Sequence, residues 1–532
     1  MSQTVFCDFL TSREAAYGDR EVLRIDDESR SYPELLSSVL ALAAGLTGIG
    51  VSSEDHVAIM MDTSHASVDA WLATSVIGCV EIPINTSYRG DLLGYLIADS
   101  EATVVICDGT HLSTLLSLLP LEGSKVRMVI INADDAASAV PSSGPLETYA
   151  LSDLYDASGT VPAATRDSGL VVLYTSGTTG PSKGVMHSQA SALGLAAYVA
   201  RVCEYTPDDA LLNFFPLYHQ NARYTGLVTA IAAGARLQLD SRLSTSTFWS
   251  MCRANGITAF NYLGSVLTMI LGASKHLDAQ AARDHGVRKA YGAGAPRGIW
   301  EEFEQRFGVQ FYEAYGLTEA PMVTVNTPPR VSPIGSAGRA SDLFEVQIFD
   351  EEGGAARHDE VGAIAVRPKV PNAFMLGYYG RDADTLRATR NLWFHTGDRG
   401  WLSADGDLYF EERIKDAIRR RGENISAWEV ESVLDRHPAV MESAVYGVQA
   451  EAFDEEVMAA IVPARADIDP ALVIRESADD LPSYAVPRYV RVLDELPRTD
   501  TQKVQKAELR REGVTADTLD VSQLAQSALS ES

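Results

Sequence analysis

The chain has 532 residues, of which 46% are hydrophobic and 22% charged, a balance that is ordinary for globular proteins. At this length we expect more than one domain, since single cores stop growing at roughly 250–300 residues. A formal net charge of −28 argues against nucleic acid or an anionic membrane as a partner. We also predict no membrane span, because no apolar stretch reaches the roughly 20 residues that a span needs.

The N-terminal residues and the cysteines predict a cytoplasmic protein. Acidic residues stand in MSQTVFCDFLTSREAAYGDREV where a signal peptide would have its apolar core. Five cysteines are scattered along the chain without the spacing of metal ligands. Such cysteines are typical of small buried side chains in a reducing compartment.

From about residue 50 to residue 320, short β-branched runs alternate with helical patterns. Examples of the runs are HVAIMM (56–61), TVVIC (103–107), KVRMVIINA (125–133), GARLQLD (234–240) and GITAFNYLG (256–264). This alternation predicts βαβ units on mostly parallel sheets. Between 335 and 410, shorter strands with turn signals predict antiparallel structure. The chain beyond 426 has a separate α+β pattern, with a helix at 428–437, which predicts a small C-terminal domain.

The run YTSGTTGPSKG (174–184) follows an apolar strand and packs small, hydroxyl-bearing and glycine residues around one lysine. Backbone N–H groups in such a loop can cradle oxyanions, and the hydroxyls and Lys183 add further donors. Gly177, Gly180 and Gly184 permit a tight path. The spacing does not match a Walker A loop. These features indicate phosphate binding, with a flexible surface turn as the alternative.

This run resembles the phosphate loop of adenylate-forming enzymes, the superfamily of acyl-CoA synthetases, peptide-synthetase adenylation domains and luciferases. Further runs resemble later motifs of that superfamily, in the same order. They are FFPLYHQNA (214–222), YGAGAP (291–296), YEAYGLTEAP (312–321), WFHTGDRGWL (393–402), EERIKDAIRRRGENIS (411–426) and LPRTDTQKVQKAEL (496–509). Each run alone could be an ordinary turn, helix face or exposed loop, but their shared order over most of the chain is not accidental.

The resemblance implies an α/β fold with a large N-terminal domain of stacked αβ subdomains and a small β-barrel-like part. A small, mobile α+β C-terminal domain follows it. We place the N-terminal domain at 1–412, the hinge at 413–415, the C-terminal domain at 416–515 and a flexible tail at 516–532. Lys415 is the hinge residue in this assignment.

The resemblance also implies the cofactor-binding residues for ATP. They are Thr175, Ser176, Gly177, Thr178, Thr179, Gly180, Lys183, Gly292, Gly294, Ala295, Pro296, Tyr315, Gly316, Thr318, Asp398, Phe410, Arg413 and Lys503. Among them, Tyr315 stacks near adenine and Asp398 accepts from the ribose hydroxyls. Glu319 is the metal ligand and helps to hold Mg²⁺.

The expected chemistry explains why the family needs these residue types. A carboxylate attacks the α-phosphate of ATP, pyrophosphate leaves, and a thiol then attacks the acyl-adenylate. Two anions meet in the first step, so fixed cations and N–H donors are the main requirement. The predicted catalytic residues are Lys503, Thr318, Glu319 and His219. Coenzyme A is the co-substrate, faced by a loop of Arg421, Gly422, Glu423 and Asn424.

The acyl pocket is predicted from two segments. Its residues are His219, Gln220, Asn221, Tyr262, Leu263 and Gly264. The small residues favour a bulky hydrophobic acid, although PLYHQNA and NYLGSVL resemble crotonobetaine/carnitine-type CoA ligases, whose betaine would need an acidic or aromatic cage. The chain also departs from the family pattern: Gln502 stands where many members have glycine, and Lys506 could compete with Lys503.

The leading prediction is therefore an ATP-dependent acyl-CoA synthetase acting on a small-molecule carboxylic acid, as a monomer or homodimer. The nearest alternative passes its acyl-adenylate to a carrier-protein thiol or to a separate partner enzyme. A non-catalytic regulatory homologue is a third hypothesis, against which the intact set of motif residues argues. A luciferase-like oxygenase would share the fold and the first step, but no residue favours it.

Overall fold

A computed structural model describes residues 5–119, 123–133, 146–156, 161, 170–175, 181–295, 297–329, 332–413, 417–420, 422–449, 455–465, 468–498 and 504–522. Of residues 265, 412, 413, 417 and 507 it describes the backbone alone. The chain divides into two compact units. The larger unit comprises residues 1–86, 97–173 and 184–412, and the smaller one comprises residues 87–96, 174–183 and 413–532.

The described helices and strands alternate over most of the chain. The helices are α1 (Phe6–Tyr17), α2 (Tyr32–Gly48), α3 (His65–Ile77), α4 (Gly90–Asp99), α5 (Gly109–Leu116), α6 (Gln189–Val202), α7 (Gln220–Ala222), α8 (Thr229–Ala233), α9 (Phe248–Ala254), α10 (Gly264–Ala273), α11 (Arg297–Phe307), α12 (Asp382–Ala388), α13 (Ala427–Leu434), α14 (Pro470–Ser477) and α15 (Lys506–Glu512). Between α7 and α8, Arg223–Val228 forms a π-helix.

The strands fall into two groups by position in the chain. Those before residue 300 are β1 (Glu21–Ile25), β2 (Glu28–Ser31), β3 (His56–Met60), β4 (Val80–Pro83), β5 (Val104–Asp108), β6 (Met128–Asn132), β7 (Glu147–Ala150), β8 (Leu170–Thr175), β9 (Lys183–Ser188), β10 (Ala210–Asn213), β11 (Arg236–Leu239), β12 (Ala259–Leu263) and β13 (Lys289–Ala293). Those after it are β14 (Gln310–Tyr315), β15 (Thr324–Asn326), β16 (Arg339–Ala340), β17 (Phe344–Phe349), β18 (Gly362–Pro368), β19 (Gly377–Tyr378), β20 (Thr389–Arg390), β21 (Trp393–Leu402), β22 (Leu408–Arg413), β23 (Ala417–Arg420), β24 (Glu423–Ser426), β25 (Val440–Gln449), β26 (Glu455–Pro463), β27 (Tyr489–Val492) and β28 (Leu519–Asp520).

Local sequence explains where several helices begin and end. Helix α2 begins at a capping box, in which the Ser31 side chain accepts from the Glu34 N–H and the Glu34 side chain accepts from the Ser31 N–H. Helix α3 begins in the same way, with Ser64 and Ser67. It ends at Gly78, whose φ of +90° is a left-handed conformation that glycine adopts readily. These helices cover the sheets because their inward faces are apolar.

Two large sheets build the core of the larger unit. One has the strand order β19-β9-β8-β4-β3-β5-β6-β7, and the other β16-β15-β14-β13-β12-β10-β11-β1-β2. In the second sheet the strands from β14 to β1 pair in parallel, and β2, β15 and β16 are antiparallel additions. The inner parallel strands β3, β5, β6, β10 and β12 are almost wholly buried, as parallel sheets covered by helices require. The predicted βαβ organisation is confirmed.

Smaller sheets complete the two units. Strands β17, β18, β20, β21 and β22 form a five-stranded sheet in which β17 with β18, β18 with β21, and β20 with β21 pair antiparallel, where the sequence predicts a small β-barrel-like part. The smaller unit contains the hairpin β23-β24 and the sheet β25-β26-β27-β28 with α13, α14 and α15, as the α+β pattern predicts. Among the residues that the structure describes, no helix combines the length and apolarity needed to cross a membrane.

The start of the predicted flexible tail needs a correction. Leu519–Asp520 forms β28, which pairs with β27 through Val490↔Leu519 and Tyr489↔Asp520. Asp520 also binds the Arg488 guanidinium, with 3.0 Å between its Oδ2 and the arginine Nη2. The polar composition of this segment does not predict a strand, because the strand is stabilised by pairing with β27 and by the ion pair. Residues 523–532 of the predicted tail lie outside the described residues, and the other predicted domain boundaries stay predictions.

Candidate active site

Three neighbouring parallel strands, β12, β13 and β14, end at one edge of the nine-stranded sheet. Ligands of open α/β sheets bind outside the carboxyl ends of the strands. The ends of these strands and the residues after them carry many of the predicted site residues: Tyr262, Leu263, Gly264, Gly292, Gly294, Ala295, Tyr315, Gly316, Thr318 and Glu319. The fold therefore brings predicted acyl-pocket, adenine and phosphate residues to one edge.

The end of β13 and the turn after it require glycine. A Cβ atom built on Gly292 would lie 2.1 Å from the Tyr262 carbonyl oxygen, a distance that no side chain tolerates. Gly294 has a φ of +74°, which is strained for other residues. The predicted adenine turn can thus pack directly against β12 only with this glycine spacing.

A buried carboxylate that the sequence did not predict holds this turn. Glu313 on β14 is 5% exposed. Its Oε1 atom accepts from the backbone N–H groups of Gly294 at 2.5 Å and Ala295 at 3.2 Å. The Tyr262 hydroxyl donates to its other oxygen. One carboxylate therefore joins the predicted adenine turn, the strand of the predicted acyl pocket and β14.

Tyr315 and Asp398, both predicted to contact the nucleoside, lie together. The Tyr315 hydroxyl donates to Asp398 Oδ2 at 2.7 Å, and Asp398 is 2% exposed. The ring of Phe410 lies 6.2 Å from the Tyr315 ring, measured between centroids. Two aromatic faces and a carboxylate are the groups that an adenosine would need for stacking and ribose recognition.

The Thr318 carbonyl oxygen is held by two side-chain donors. His187 Nε2 lies 2.7 Å from it, and Gln220 Nε2 donates to it at 3.2 Å. Burial lowers the pKa of His187 to about 4, although the bond to Thr318 opposes that shift. The imidazole is therefore neutral near pH 7 and, since it faces a carbonyl oxygen, carries its proton on Nε2. His187 was not predicted, because its role depends on β9 and the loop after β14 meeting in space.

Glu319 has a fixed orientation as well. The Tyr378 hydroxyl donates to Glu319 Oε1 at 2.8 Å, and the Met375 N–H donates to the Glu319 carbonyl oxygen at 2.9 Å. Burial and the charge of Glu319 raise the pKa of Tyr378 well above its usual range, so the phenol stays protonated and keeps donating. Tyr378 is a second residue that the sequence did not predict.

A buried amide network organises the predicted acyl side. Asn221 Oδ1 accepts from Asn213 Nδ2 at 2.9 Å and from Asn261 Nδ2 at 2.8 Å, and Asn213 and Asn261 are at most 1% exposed. Asn221, predicted as a pocket wall, thus fixes α7 to β10 and β12. Its neighbour Gln220 contacts the Thr318 carbonyl oxygen, and the His219 ring lies 4.7 Å from the ring of Tyr218.

The remaining predicted residues lie at the ends of β8 and β9, at the β23-β24 hairpin, or outside the described residues. Thr175 ends β8 and Lys183 begins β9, with the Thr175 hydroxyl donating to the Lys183 carbonyl oxygen at 3.4 Å. Gly422, Glu423 and Asn424 lie at the β23-β24 hairpin. The predicted residues that lie outside the described part are Ser176, Gly177, Thr178, Thr179, Gly180, Pro296, Lys415, Arg421 and Lys503, together with the side chain of Arg413.

The two regions of the chain match two family models. Residues 10–379 match the model of the AMP-binding enzyme family, and residues 429–503 match that of the AMP-binding enzyme C-terminal domain. The chain belongs to the AMP-binding enzyme family. The adenylate-forming superfamily predicted from the motifs is thereby confirmed.

Known relatives and a solved structure agree with this membership. The chain is 30% identical to sulfoacetate–CoA ligase of Cupriavidus necator, over 93% of this chain and 96% of that protein. It is 32% identical to medium/long-chain-fatty-acid–CoA ligase FadD6 of Mycobacterium tuberculosis, over 97% and 86% of the two chains. Its fold is similar to that of a double mutant of o-succinylbenzoate CoA synthetase from Bacillus subtilis, with a TM-score of 0.81 and 23% identity over 95% and 98% of the chains.

The predicted activity is confirmed at the level of this AMP-binding enzyme family: ATP-dependent acyl-CoA formation through an acyl-adenylate, with ATP, Mg²⁺ and CoA. The donor set fits the metal, because Glu319 offers a carboxylate, the hard oxygen ligand that Mg²⁺ prefers. The relatives act on different acids. The crotonobetaine/carnitine likeness and the individual roles of the site residues stay predictions.

Proposed function

We propose that this AMP-binding enzyme converts an apolar carboxylic acid into its CoA thioester. An apolar acid is supported by the charged side chains around the predicted acyl pocket, which are already bound to other groups of the protein. The segments 213–225 and 259–266 contain no Asp, Glu or Lys, and Arg223 is their one arginine. A pocket without a free charge favours an uncharged acyl group.

Arg223 is already paired. It forms a buried ion pair with Glu81, both side chains being 2% exposed, with 2.7 Å between Arg223 Nη1 and Glu81 Oε2. Its guanidinium also lies 4.5 Å from the centroid of the Trp71 ring. A second anionic group on the substrate, such as a sulfonate, would have to compete with Glu81 for this cation.

A betaine cation is disfavoured for the complementary reason. Glu313 contacts the predicted pocket through the Tyr262 hydroxyl. Its carboxylate also accepts the N–H groups of Gly294 and Ala295. If Glu313 turned away from these N–H groups to bind a substrate cation, they would stay buried without an acceptor, at a cost of about 1–3 kcal/mol each.

The residue roles in the first step follow from the charge that develops there. We assign the ribose to Asp398, the adenine face to Tyr315 and Phe410, and the metal to Glu319. Bound at Glu319, Mg²⁺ neutralises charge on the polyphosphate. Thr178, Thr179 and Lys183 are assigned to the departing pyrophosphate, and Lys503 to the acyl carboxylate and the α-phosphate. Removing one such fixed donor typically lowers the rate on the order of 10²–10³-fold.

For the second step we propose CoA as the physiological acceptor and the cytoplasm as the location. The relatives from Cupriavidus necator and Mycobacterium tuberculosis, both CoA ligases, support the acceptor. The five cysteines, all free in the structure, suit a reducing compartment. A carrier-protein thiol or a partner enzyme is the alternative acceptor.

The test is carboxylate-dependent pyrophosphate release over a panel of acids, with and without CoA, with the thioester identified by mass. Octanoate and a phenylalkanoate represent apolar acids, and sulfoacetate and carnitine represent charged ones. We expect thioester from the apolar acids. A preference for sulfoacetate or carnitine would contradict the proposed acid, and adenylate that does not react with CoA would point to the carrier or partner enzyme.

A further inference from the structure

A second place for a ligand lies in the eight-stranded sheet, between β3 and β5. The strand order there is β4-β3-β5-β6, and all three pairings are parallel. The chain runs from β3 to β4 on one side and then returns to β5 on the other. The connections after β3 and β5 therefore leave in opposite directions, and such a switch point opens a crevice at the carboxyl ends of the strands.

Three side chains of metal-binding types converge at this switch point. Asp62 follows β3, Asp108 ends β5, and His111 lies in the first turn of α5. One ligand atom from each residue lies within 4.8 Å of the other two. His111 Nε2 and Asp62 Oδ2 are 3.3 Å apart. Two ligands about 2.1 Å from a shared tetrahedral ion would stand about 3.4 Å apart, so this pair needs little movement to share one.

The surroundings orient the ligands. Asn132, the last residue of β6, donates its side-chain N–H to Asp108 Oδ1 at 2.7 Å. The Asp62 backbone N–H donates to the other oxygen of Asp108, also at 2.7 Å. Outer hydrogen bonds of this kind hold carboxylate ligands in metal sites and raise metal affinity.

His111 supplies an independent observation, a buried ring nitrogen that makes no hydrogen bond. The residue is 9% exposed, and its Nε2 atom is buried without a hydrogen bond although Asp62 is near. A buried polar atom left in this way is costly, and a bound ligand would remove that cost. The Asp62 side chain, by contrast, is 65% exposed to solvent.

We propose that Asp62, Asp108 and His111 bind one divalent transition-metal ion of the Zn²⁺ class, with water at its remaining positions. One imidazole nitrogen and two carboxylates suit such borderline ions better than Ca²⁺ or Mg²⁺, which take oxygen ligands. The ion would tie the loop after β3 to α5. Since only the folded state assembles the three ligands, the ion stabilises the fold in proportion to the logarithm of its concentration above Kd.

The test uses the full chain, treated with chelator and free of ATP, and Co²⁺ as the probe. We expect one equivalent of Co²⁺ to bind, with visible d–d absorption and a raised thermal midpoint. His111→Gln should abolish the absorption. Asp62→Asn, a change at an exposed side chain, should weaken binding at least tenfold without unfolding the protein.

Two control variants show whether the binding belongs to this site. His437 forms a comparable His–carboxylate pair with Glu476, at 2.8 Å, so His437→Gln should leave Co²⁺ binding unchanged. Glu319→Gln should leave it unchanged too, since that residue is assigned to the Mg²⁺ of the reaction. Absence of stoichiometric binding would mean that His111 and Asp62 form a simple ion pair and would overturn the proposal. Binding that survives both His111→Gln and Asp62→Asn would overturn it as well.

Discussion

At the scale of single residues, the site depends on side chains that hold other groups in place. His187 does so as a neutral imidazole, because burial keeps its pKa near 4, below the ordinary value of 6.5. An unfolded chain takes up a proton on this residue at a higher pH than the folded one. The contribution of His187 to the stability of the fold therefore falls in acid, and with it the bond to the Thr318 carbonyl oxygen.

The first prediction is a pH dependence of stability. As the pH falls from 6.5 to 4, His187 should lower the free energy of unfolding by up to about 1.4 kcal/mol per pH unit. Below pH 4 it should cause no further loss. Urea unfolding of wild type and His187→Asn between pH 7 and pH 4.5 measures this, and the variant should show the shallower slope. His358→Asn, at an exposed histidine, is the matched control. Equal slopes for wild type and His187→Asn would refute the prediction.

The second prediction concerns Glu319. Glu319→Gln keeps the shape and the bond from Tyr378 but removes the negative charge, so a Mg²⁺ ion bound as proposed would lose an anionic ligand. We expect acid-dependent pyrophosphate release to fall on the order of 10²–10³-fold and to need more Mg²⁺ for half-maximal rate. Glu302→Gln, at an exposed position on α11, should behave as wild type. A variant with normal Mg²⁺ dependence would remove Glu319 from the metal site.

At the scale of elements, one carboxylate ties three parts of the nine-stranded sheet. Glu313 on β14 binds the N–H groups of the turn after β13 and the hydroxyl of Tyr262 on β12. The predicted acyl side and the predicted adenine side of the site thus share one positioning residue. A substitution that weakens the bond of one partner should therefore also disturb the other, because both bind the same carboxylate.

The third prediction follows from this tie. Glu313→Gln replaces an acceptor oxygen with an N–H₂ group that cannot accept from the turn, so we expect kcat/KM for ATP to fall about 10–100-fold, mainly through KM. Tyr262→Phe should have a smaller effect, and the double variant should cost less than the sum, since the two residues interact. Tyr312→Phe, on β14 beside Glu313, is the control. Strict additivity, or a loss of thermal stability with KM unchanged, would contradict the positioning role.

The same elements show what sequence can predict. The parallel strands and the glycine turn followed from local pattern and motif, because period and backbone conformation are local properties. The strand within the predicted tail did not, since β28 exists only through pairing with β27. Glu313, His187 and Tyr378 were not predicted for a similar reason: each acts across strands far apart in sequence. Asn221, assigned to the pocket, uses its carbonyl to accept from two buried amides, which no local signal reveals.

At the scale of the whole molecule, the reaction has two halves with opposed needs. The first half needs cations near the polyphosphate, and the second needs room for a thiol at the same acyl carbon. The family resemblance assigns the change between them to rotation about Lys415. Because the net charge is −28, the two polyanionic substrates, ATP and CoA, must be bound by local donors and not by a general positive field.

The last prediction separates the two halves. Lys415→Pro fixes the backbone φ at about −65° and should restrict the rotation. We expect acyl-adenylate formation in a single turnover without CoA to stay within about threefold of wild type, while thioester formation falls by at least 10²-fold. Lys415→Ala, which removes the same charge but leaves the backbone free, is the control and should support both steps. If the proline variant loses both steps equally, Lys415 is not a hinge, because a hinge that only links the two states cannot be required within the first of them.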